Sequence, residues 1–340
     1  MSEISQPLDV SPVKNKKQIP LKWLILFLVA VNVLISLVYK PLEPEISIPS
    51  ESVLFHVENE QMIKDPWFTL PVVGDVYLTN SLTSTFLAII ILLILAWQVH
   101  RQTSKGQLKT HGVVLGLELI FSGLASMADN AVEEKWRSRI YSVFYSIFLY
   151  IMVINLCKLL PFYETIGVVH PVAEHGFQAE QWTSWLTALV RPAPEGEQGY
   201  RLVSFFRGSS TDLNFTLAIA IVTVVIVQIY GISARGIGYF NKFFNVRAII
   251  KHKGKGLIDF IVSLLEGISE IAKIASFGFR LFGNMFAGSV LLLILSFMVP
   301  WLLGSFIMLY EVFVGLLQAF IFAMLATVFM SMAVQTEENH

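Results

Sequence analysis

Apolar runs alternate with polar segments along the whole chain, and most of these runs reach the roughly 20 residues that an α-helix needs to cross a bilayer. We therefore predict an all-α polytopic membrane protein. In chain order, the predicted segments are a cytoplasmic tail at 1–22, an additional transmembrane helix at 23–39, an outer-side segment at 40–80, a transmembrane helix at 81–99, an amphipathic inner-interface helix at 107–139, a membrane helix at 140–160, an outer-side loop at 161–212, a membrane helix at 213–232, a basic cytoplasmic loop at 233–256, and long helices at 257–299 and 301–333.

The last two predicted helices are longer than a bilayer requires. The helical pattern at 257–299 continues for about 40 residues, or about 60 Å, which is roughly twice the thickness of a bilayer core. A helix of this length has to tilt strongly or lie partly in the interface. Together with the next long run at 301–333, it predicts a slanted C-terminal hairpin.

Charged residues beside the apolar runs predict the orientation. Basic clusters precede the first run, follow the helix at 81–99 and fill the loop at 233–256, and such clusters favour the cytoplasmic side. The C-terminus is then cytoplasmic as well.

Residues 1–39 have two interpretations, a cleaved signal sequence or an uncleaved helix. The length of the apolar run and the lack of a small-x-small cleavage site favour the uncleaved helix.

Two polar stretches on the predicted outer side carry weaker signals. Within 40–80, the stretch PWFTLPVVGDVYLTN alternates and predicts a short strand or hairpin. In the outer loop, His170, Glu174 and His175 are candidate metal ligands, but their spacing is not that of HExxH. We therefore favour a solvated loop and predict no metal site.

Composition agrees with a membrane protein and excludes a soluble enzyme. Of the 340 residues, 55% are hydrophobic and 14% are charged, and the mean hydropathy of +0.65 is far on the apolar side of a soluble domain. The net charge of -1 argues against nucleic-acid binding. We predict no cofactor, and the single cysteine, Cys157, rules out an internal disulfide.

Arg280 interrupts the apolar pattern in the second half of the long helix at 257–299. Arg280 is followed by a run without charge that extends to Glu311, which places it at membrane depth. Holding an arginine near the bilayer centre costs roughly 2.5–3.5 kcal/mol on insertion scales, so such residues are usually functional. The alternative is an arginine at the membrane edge that extends to the headgroups; it is less favoured because the helical pattern continues on both sides.

Arg280 belongs to a stripe of polar and small residues. At about 100° per residue, the following positions fall within about 40–60° of one another: Glu266, Ser269, Lys273, Ser276, Arg280, Gly283, Asn284 and Ala287. Small residues let another helix come close. We therefore expect this stripe to face a protein partner and not lipid.

Two further ionisable residues lie in apolar runs. Glu311, Gly315 and Gln318 share one helix face, and a buried carboxylate without a partner favours its protonated form. Glu311 is therefore a candidate for loading and unloading protons, although Glu311 and Gln318 could instead only bond neighbouring helices. Lys158 either extends to the headgroups, which we favour, or lines a water path.

These residues resemble subunit a of the membrane sector of F-type ATP synthases. The resemblance rests on LEGISEIAKIASFGFRLFGNMFAG from Leu265 and LLQAFIFAMLATVFMSMA from Leu316, with weaker matches at NLCKLLP from Asn155 and TDLN from Thr211. It covers about residues 75–340. It implies a non-catalytic stator subunit that lies against a rotating ring of c subunits. The other implied partners are the peripheral-stalk b subunits and the rest of the synthase, in an energy-coupling membrane such as a bacterial inner membrane.

The resemblance also implies roles for residues at matching positions. Arg280 would meet each deprotonated ring carboxylate, and protons would pass through an outer and an inner half-channel. The other implied path residues are Asn284 and Gln318 near Arg280, Glu311 in the outer half-channel, Glu266 at the inner exit, and Ser276, Lys273, Asp212, Asn214 and Lys158 as secondary positions. Ser289 stands where many members carry an acid or histidine, so we expect water to complete the route there.

A secondary ion/proton antiporter that uses Glu311 and Arg280 is the alternative function. Such transporters are often built from two related halves, and the sequence has no evident internal repeat. The coupling ion is expected to be the proton and not sodium, although the ring carboxylate that selects it is on another chain.

Overall fold

The computed structural model describes residues 50–58, 61–71, 74–104, 113–128, 132–160, 163–172, 176–183, 186–194, 196–243, 253–298 and 303–335. The predicted tail at 1–22 and helix at 23–39 lie outside these ranges. So do Glu174 and His175, two of the three candidate metal ligands.

Within these ranges, six α-helices make up most of the structure: α1 Asn80–Thr103, α2 Val113–Ala128, α3 Glu134–Cys157, α4 Leu213–Arg235, α5 Lys253–Met298 and α6 Leu303–Val334. All but α2 contain stretches long and apolar enough to cross a membrane. This confirms the predicted class of a mainly helical, polytopic membrane protein.

Helix α5 and helix α6 form an antiparallel hairpin. The rings of Phe277 and Phe322 lie 4.7 Å apart, and near the other end of the hairpin Ser296 lies beside Gly304. Helix α5 has 46 residues, which correspond to about 69 Å. It begins four residues before the predicted start at 257.

Helix α6 is the central element of the core. Its residues Ala319, Ala323 and Ala326 are fully buried, and such small side chains let neighbouring helices come close. Helices α3, α4 and α5 all pack against α6. Only a narrow strip of α5 is buried, so most of its surface has no partner within the described chain.

The two ends of the bundle differ in their polar contacts. At one end, which we call the sheet end, Asp212 before α4 accepts a hydrogen bond from Ser81 of α1 at 2.6 Å. At the other, which we call the basic end, the guanidinium of Arg235 donates to the carbonyl of Gln335. Helices α3 and α5 end at the sheet end, and α1, α4 and α6 begin there.

A small β-structure covers the sheet end. A four-stranded antiparallel sheet has the order β5-β8-β6-β7, and two hairpins precede α1. The strands are β1 Phe55–Glu58, β2 Gln61–Lys64, β3 Phe68–Leu70, β4 Gly74–Val76, β5 Gly167–Val172, β6 Phe177–Thr183, β7 Leu186–Pro192 and β8 Gly199–Ser204.

The sheet differs from the solvated loop expected at 161–212. Its strands contain short alternating segments such as LTALVRP and YRLVS, which are typical of strands. The prolines and glycines that suggested a loop lie largely at strand ends and turns, for example Pro192 and Gly199. His170 lies in β5, where its Nδ1 is 3.0 Å from the Pro171 carbonyl.

The interface helix predicted at 107–139 corresponds to two elements. Its first part contains α2, and its last residues are the first turns of α3, which begins at Glu134 and not at 140. The charged residues of these turns suggested an interfacial segment. An acid in the first turn favours a helix start because it complements the helix dipole.

Candidate functional site

Arg280 lies in the middle of the apolar part of α5 and is exposed. Its distance along the helix to Met298 is about 27 Å, too far for the side chain to reach that helix end. Its Nη2 donates to Ser276 Oγ at 3.3 Å. Among the acidic side chains that the structure describes, none forms an ion pair with it. The chain therefore presents an unpaired guanidinium at mid-helix.

The stripe around Arg280 lies beside the seam between α5 and α6. Phe277, Leu281 and Met285 of α5 are buried against the neighbouring helices. The exposed members of the adjacent stripe are Ser269, Ser276, Arg280, Gly283, Asn284 and Ala287, whereas Glu266 and Lys273 are half-buried. The polar stripe is thus an open surface.

Two amides join α5 to α6 beside this surface. Asn284 Nδ2 donates to Gln318 Oε1 at 2.7 Å. Gln318 is 2% exposed, and its Nε2 finds no hydrogen-bond acceptor among the described residues. Because buried donors are nearly always satisfied, this N–H group is suited to bind water or a passing ligand.

Glu311 has a charged partner that the sequence interpretation did not assign. Lys158 Nζ lies 3.4 Å from both carboxylate oxygens of Glu311, and it donates to Ser289 Oγ at 3.0 Å and to the Met285 carbonyl at 3.2 Å. The side chains of Lys158 and Glu311 are each only 3% exposed. The favoured headgroup interpretation of Lys158 was therefore wrong, because α3 ends where α6 brings Glu311 within reach.

Two cavities border this ion pair. A cavity of about 640 Å³ lies between the sheet and α5, and Ser289 is among its lining residues with Glu164, Arg201 and Arg207. A second cavity, of about 190 Å³, lies between α5 and α6 and is lined by Glu311, Gly288 and Asn284, among others. Lys158 contacts Ser289 of the first cavity and Glu311 of the second, so the pair lies between them.

A second charged cluster lies toward the basic end of α5. Glu270 is 8% exposed and accepts hydrogen bonds from Lys273 at 2.7 Å and from Gln228 Nε2 at 3.0 Å. Lys242 is 3.0 Å from Glu266 and 3.6 Å from Glu270. The cluster brings together Glu266 and Lys273, both predicted from the sequence.

Sequence reasoning missed Glu270 because it lies off the Arg280 stripe. Two signals could have found it. Glu270 and Lys273 have the i,i+3 spacing of a helical ion pair, and Gln228 is an isolated amide in the apolar run of α4.

Burial and nearby negative charge have opposite effects on the pKa of Lys242. Burial disfavours its charged form, but the hydrogen bond and negative charge of Glu266, with smaller effects of Tyr239 and Glu270, raise the pKa of Lys242 above its ordinary value. Burial also raises the pKa of Tyr239, whose hydroxyl donates to Gln228 Oε1 at 2.8 Å. Lys242 therefore stays charged and Tyr239 neutral at physiological pH.

Two of the predicted secondary path residues form a helix cap. Asp212 accepts a hydrogen bond from the Asn214 backbone N–H at 2.9 Å and so caps α4. Among the described hydrogen bonds and ion pairs, none joins Asp212 or Asn214 to the Arg280 stripe. In the described part of the chain, no group of three or more His, Cys, Asp or Glu side chains is arranged to hold a metal ion.

Replacing Glu270 by alanine should destabilise the protein. The change removes the acceptor of Lys273 and Gln228 in a largely buried place, where losing one partner costs about 1–3 kcal/mol. Glu266→Ala should cost less than about 1 kcal/mol, because that side chain is 40% exposed. Thermal unfolding of the purified membrane complex compares the two variants. Equal midpoints for both would contradict a bridging role of Glu270.

A bundle of helices long and apolar enough to cross a membrane defines an integral membrane protein, and charged and amide side chains deep in its apolar region are typical of ion pathways. The family model for the ATP synthase A chain matches residues 81–331, and the chain belongs to this family. This confirms the resemblance seen in the sequence and supports a proton-translocating role in the membrane sector of an ATP synthase.

Curated relatives agree with the family. The chain is 29% identical over 266 residues to ATP synthase subunit a of Mycobacterium ulcerans, which covers 77% of this chain and 89% of the relative. It is also 29% identical over 276 residues to ATP synthase subunit a 1 of Photobacterium profundum, covering 79% and 92%. For subunit a of Shewanella sp. strain MR-4, identity is 28% over 282 residues, again covering 79% and 92%.

Proposed function

We propose that this chain is the non-catalytic stator subunit that couples proton flow to rotation of a c-subunit ring. The observation that carries the proposal is the exposed, unpaired guanidinium of Arg280 in the middle of α5. A fixed charge at this depth is unfavourable unless a partner approaches it. A carboxylate on each ring subunit would be that partner.

The chemistry of arginine suits this task. Its guanidinium is always protonated, so it pairs with a ring carboxylate only while that carboxylate is charged. Arg280 thus promotes proton release from the ring and blocks a direct leak past it. One charge that crosses 100 mV gains about 2.3 kcal/mol, and the interaction with Arg280 helps to turn this energy into rotation in one direction.

The outer half-channel begins at the sheet end, which we assign to the outside. Protons enter the cavity of about 640 Å³ and reach Glu311 beside Ser289 and Lys158. The smaller cavity then leads from Glu311 to Asn284. The hydrogen-bonded amides of Asn284 and Gln318 line the last step before the ring.

The inner half-channel leaves at the basic end, which we assign to the cytoplasm. From Arg280 the stripe continues through Ser276 to Lys273 and Glu266, and the cluster around Glu270 borders it. This side carries the basic loop and the C-terminus, as positive-inside orientation requires. Helix α5 has 46 residues, more than a bilayer core requires, so it fits within the membrane only if it lies strongly tilted.

The other proposed partners are the peripheral-stalk b subunits and the rest of the synthase, in an energy-coupling membrane such as a bacterial inner membrane. The proton is the proposed coupling ion. The antiporter alternative gains no support from the family match, which concerns an ATP synthase subunit.

Site-directed cross-linking tests the ring-facing surface. We expect Ala287→Cys, which is exposed on the Arg280 stripe, to form a disulfide with a cysteine placed near the ring carboxylate. The matched control is Ser146→Cys, since Ser146 is a small, exposed residue at the middle of α3. The readout is the cross-linked product in membranes that contain the whole synthase.

Only a product from Ala287→Cys supports the proposal. Equal cross-linking of both variants, or a product from Ser146→Cys alone, would place the ring elsewhere and contradict the assignment of α5 as the ring-facing helix.

A further inference from the structure

We propose that Lys158 and Glu311 form one proton-relay pair, in which the ammonium of Lys158, just after α3, controls proton binding at the Glu311 carboxylate of α6. The proposal rests on the proposed function and deepens it, because it identifies what controls proton binding at Glu311. Lys158 acts here as a positioning residue, and Glu311 carries the proton.

The packing makes room for this pair. A Cβ atom at Gly288 would lie 2.6 Å from Glu311 Oε1, and one at Gly208 would lie 3.2 Å from the Cβ and Cδ of Lys158. Two glycines from different elements therefore allow the carboxylate and the lysine stem to lie deep between the helices. A side chain at Gly288 would displace the Glu311 carboxylate, and one at Gly208 would crowd the stem of Lys158.

The contacts of the pair are incomplete for a purely structural ion pair. Glu311 Oε2 is buried and lies within ion-pair distance of Lys158, yet it accepts no hydrogen bond from any described residue. A buried ion pair stabilises a fold only with good geometry and satisfied hydrogen bonds. The bare oxygen is instead a place where a proton can bind.

The lysine is held in place independently of the charge on Glu311. Its ammonium donates to Ser289 Oγ and to the Met285 carbonyl, so it keeps two acceptors when Glu311 is neutral. The other described acidic or basic side chain that acts on Glu311 is Glu164, which follows α3, and Ser289 Oγ accepts its hydrogen bond from the lysine itself. Lys158 is therefore the one described cation that faces the carboxylate.

This arrangement gives a simple relay. A proton from the large cavity binds to Glu311 Oε2 and forms an O–H bond, while Lys158 keeps all its own protons. The neighbouring positive charge opposes the effect of burial on the carboxylate, so the O–H bond can break again. The proton then leaves toward the smaller cavity and Asn284.

The test is ATP synthesis by the whole synthase in proteoliposomes, with the pH on the sheet-end side varied at constant driving force. For Lys158→Gln we expect an approximately tenfold lower maximal rate, because Glu311 holds its proton more tightly without the cation. The pH of half-maximal synthesis should rise by about one unit or more, since a close opposite charge typically has an effect of that size. Lys158→Arg should rescue at least about half of the rate.

Lys64→Gln is the matched control, because it removes an exposed positive charge on strand β2. It should change neither the maximal rate of ATP synthesis nor its pH dependence. If the Lys158→Gln synthase does not assemble, Glu311→Asp is the second test variant. It keeps the carboxylate but draws it away from Lys158, so the pH of half-maximal synthesis should also rise.

The outcomes separate this inference from the proposed function. If Lys158→Gln keeps the natural rate and profile while Glu311→Gln stops synthesis, Glu311 works alone and the relay pair is refuted. An unchanged profile in Glu311→Asp refutes the relay pair as well. If Glu311→Gln also synthesises ATP normally, the proposed outer path itself is wrong.

Discussion

Replacing Arg280 by alanine should abolish proton-driven ATP synthesis while the synthase still assembles. The guanidinium makes one described hydrogen bond, to Ser276, and is exposed, so its loss removes little packing. Insertion of α5 should become easier, because an arginine at the centre of a membrane helix costs about 2.5–3.5 kcal/mol. What is lost is the charge that a ring carboxylate meets.

The measurement compares ATP synthesis driven by an imposed proton gradient with the amount of assembled complex in the same membranes. Arg191→Ala is the control, since Arg191 is an exposed arginine on β7. Arg280→Lys should substitute poorly, because lysine lacks the planar guanidinium fork and can lose its proton when buried. Normal coupled synthesis by Arg280→Ala would refute the central role of this residue.

The helical hairpin and its cation were predictable from the sequence because both depend on local periodicity. The spacing of polar and small residues around Arg280 fixes one face of α5, and the structure leaves that face exposed. The i, i+4, i+7 pattern of Glu311, Gly315 and Gln318 likewise fixes one face of α6, which is buried. Both predictions can be made without knowing which helices pack together.

The partner of Glu311 was not predictable in this way. Lys158 and Glu311 are 153 positions apart, and their contact depends on how α3, α5 and α6 pack. A lysine near a helix end usually extends to the headgroups. Here the chain after α3 turns back over the bundle, and Gly208 packs against the lysine stem.

The sheet that covers the large cavity was not predictable either, because it also depends on contacts between distant residues. Its strands pair over long separations, such as His170 with Arg201, and its composition resembles that of a loop. The family resemblance could not supply the sheet either, because none of the motifs that carry it lies between Gly167 and Ser204. The residues that match the family model, 81–331, include the sheet. The position of the sheet beside Ser289, where both line the large cavity, depends on how the chain packs.

Replacing Glu311 by glutamine should stop proton-driven ATP synthesis, with a fall of at least about a hundredfold. Glutamine has nearly the same shape as glutamate but can neither bind nor release a proton at neutral pH. If protons reach Asn284 only through Glu311, the smaller cavity then receives none from the outside. ATP-driven proton pumping by the same synthase should be lost as well, because the path serves both directions.

The single change also leaves Lys158 as a buried, unpaired cation, and breaking a buried pair in this way costs about 3–5 kcal/mol. Loss of synthesis could then reflect poor assembly. The double variant Glu311→Gln with Lys158→Met removes both charges, so that no buried charge is left without a partner. We expect the double variant to assemble in normal amounts and still to make no ATP. A double variant that assembles and synthesises ATP at the natural rate would mean that protons reach the ring without Glu311.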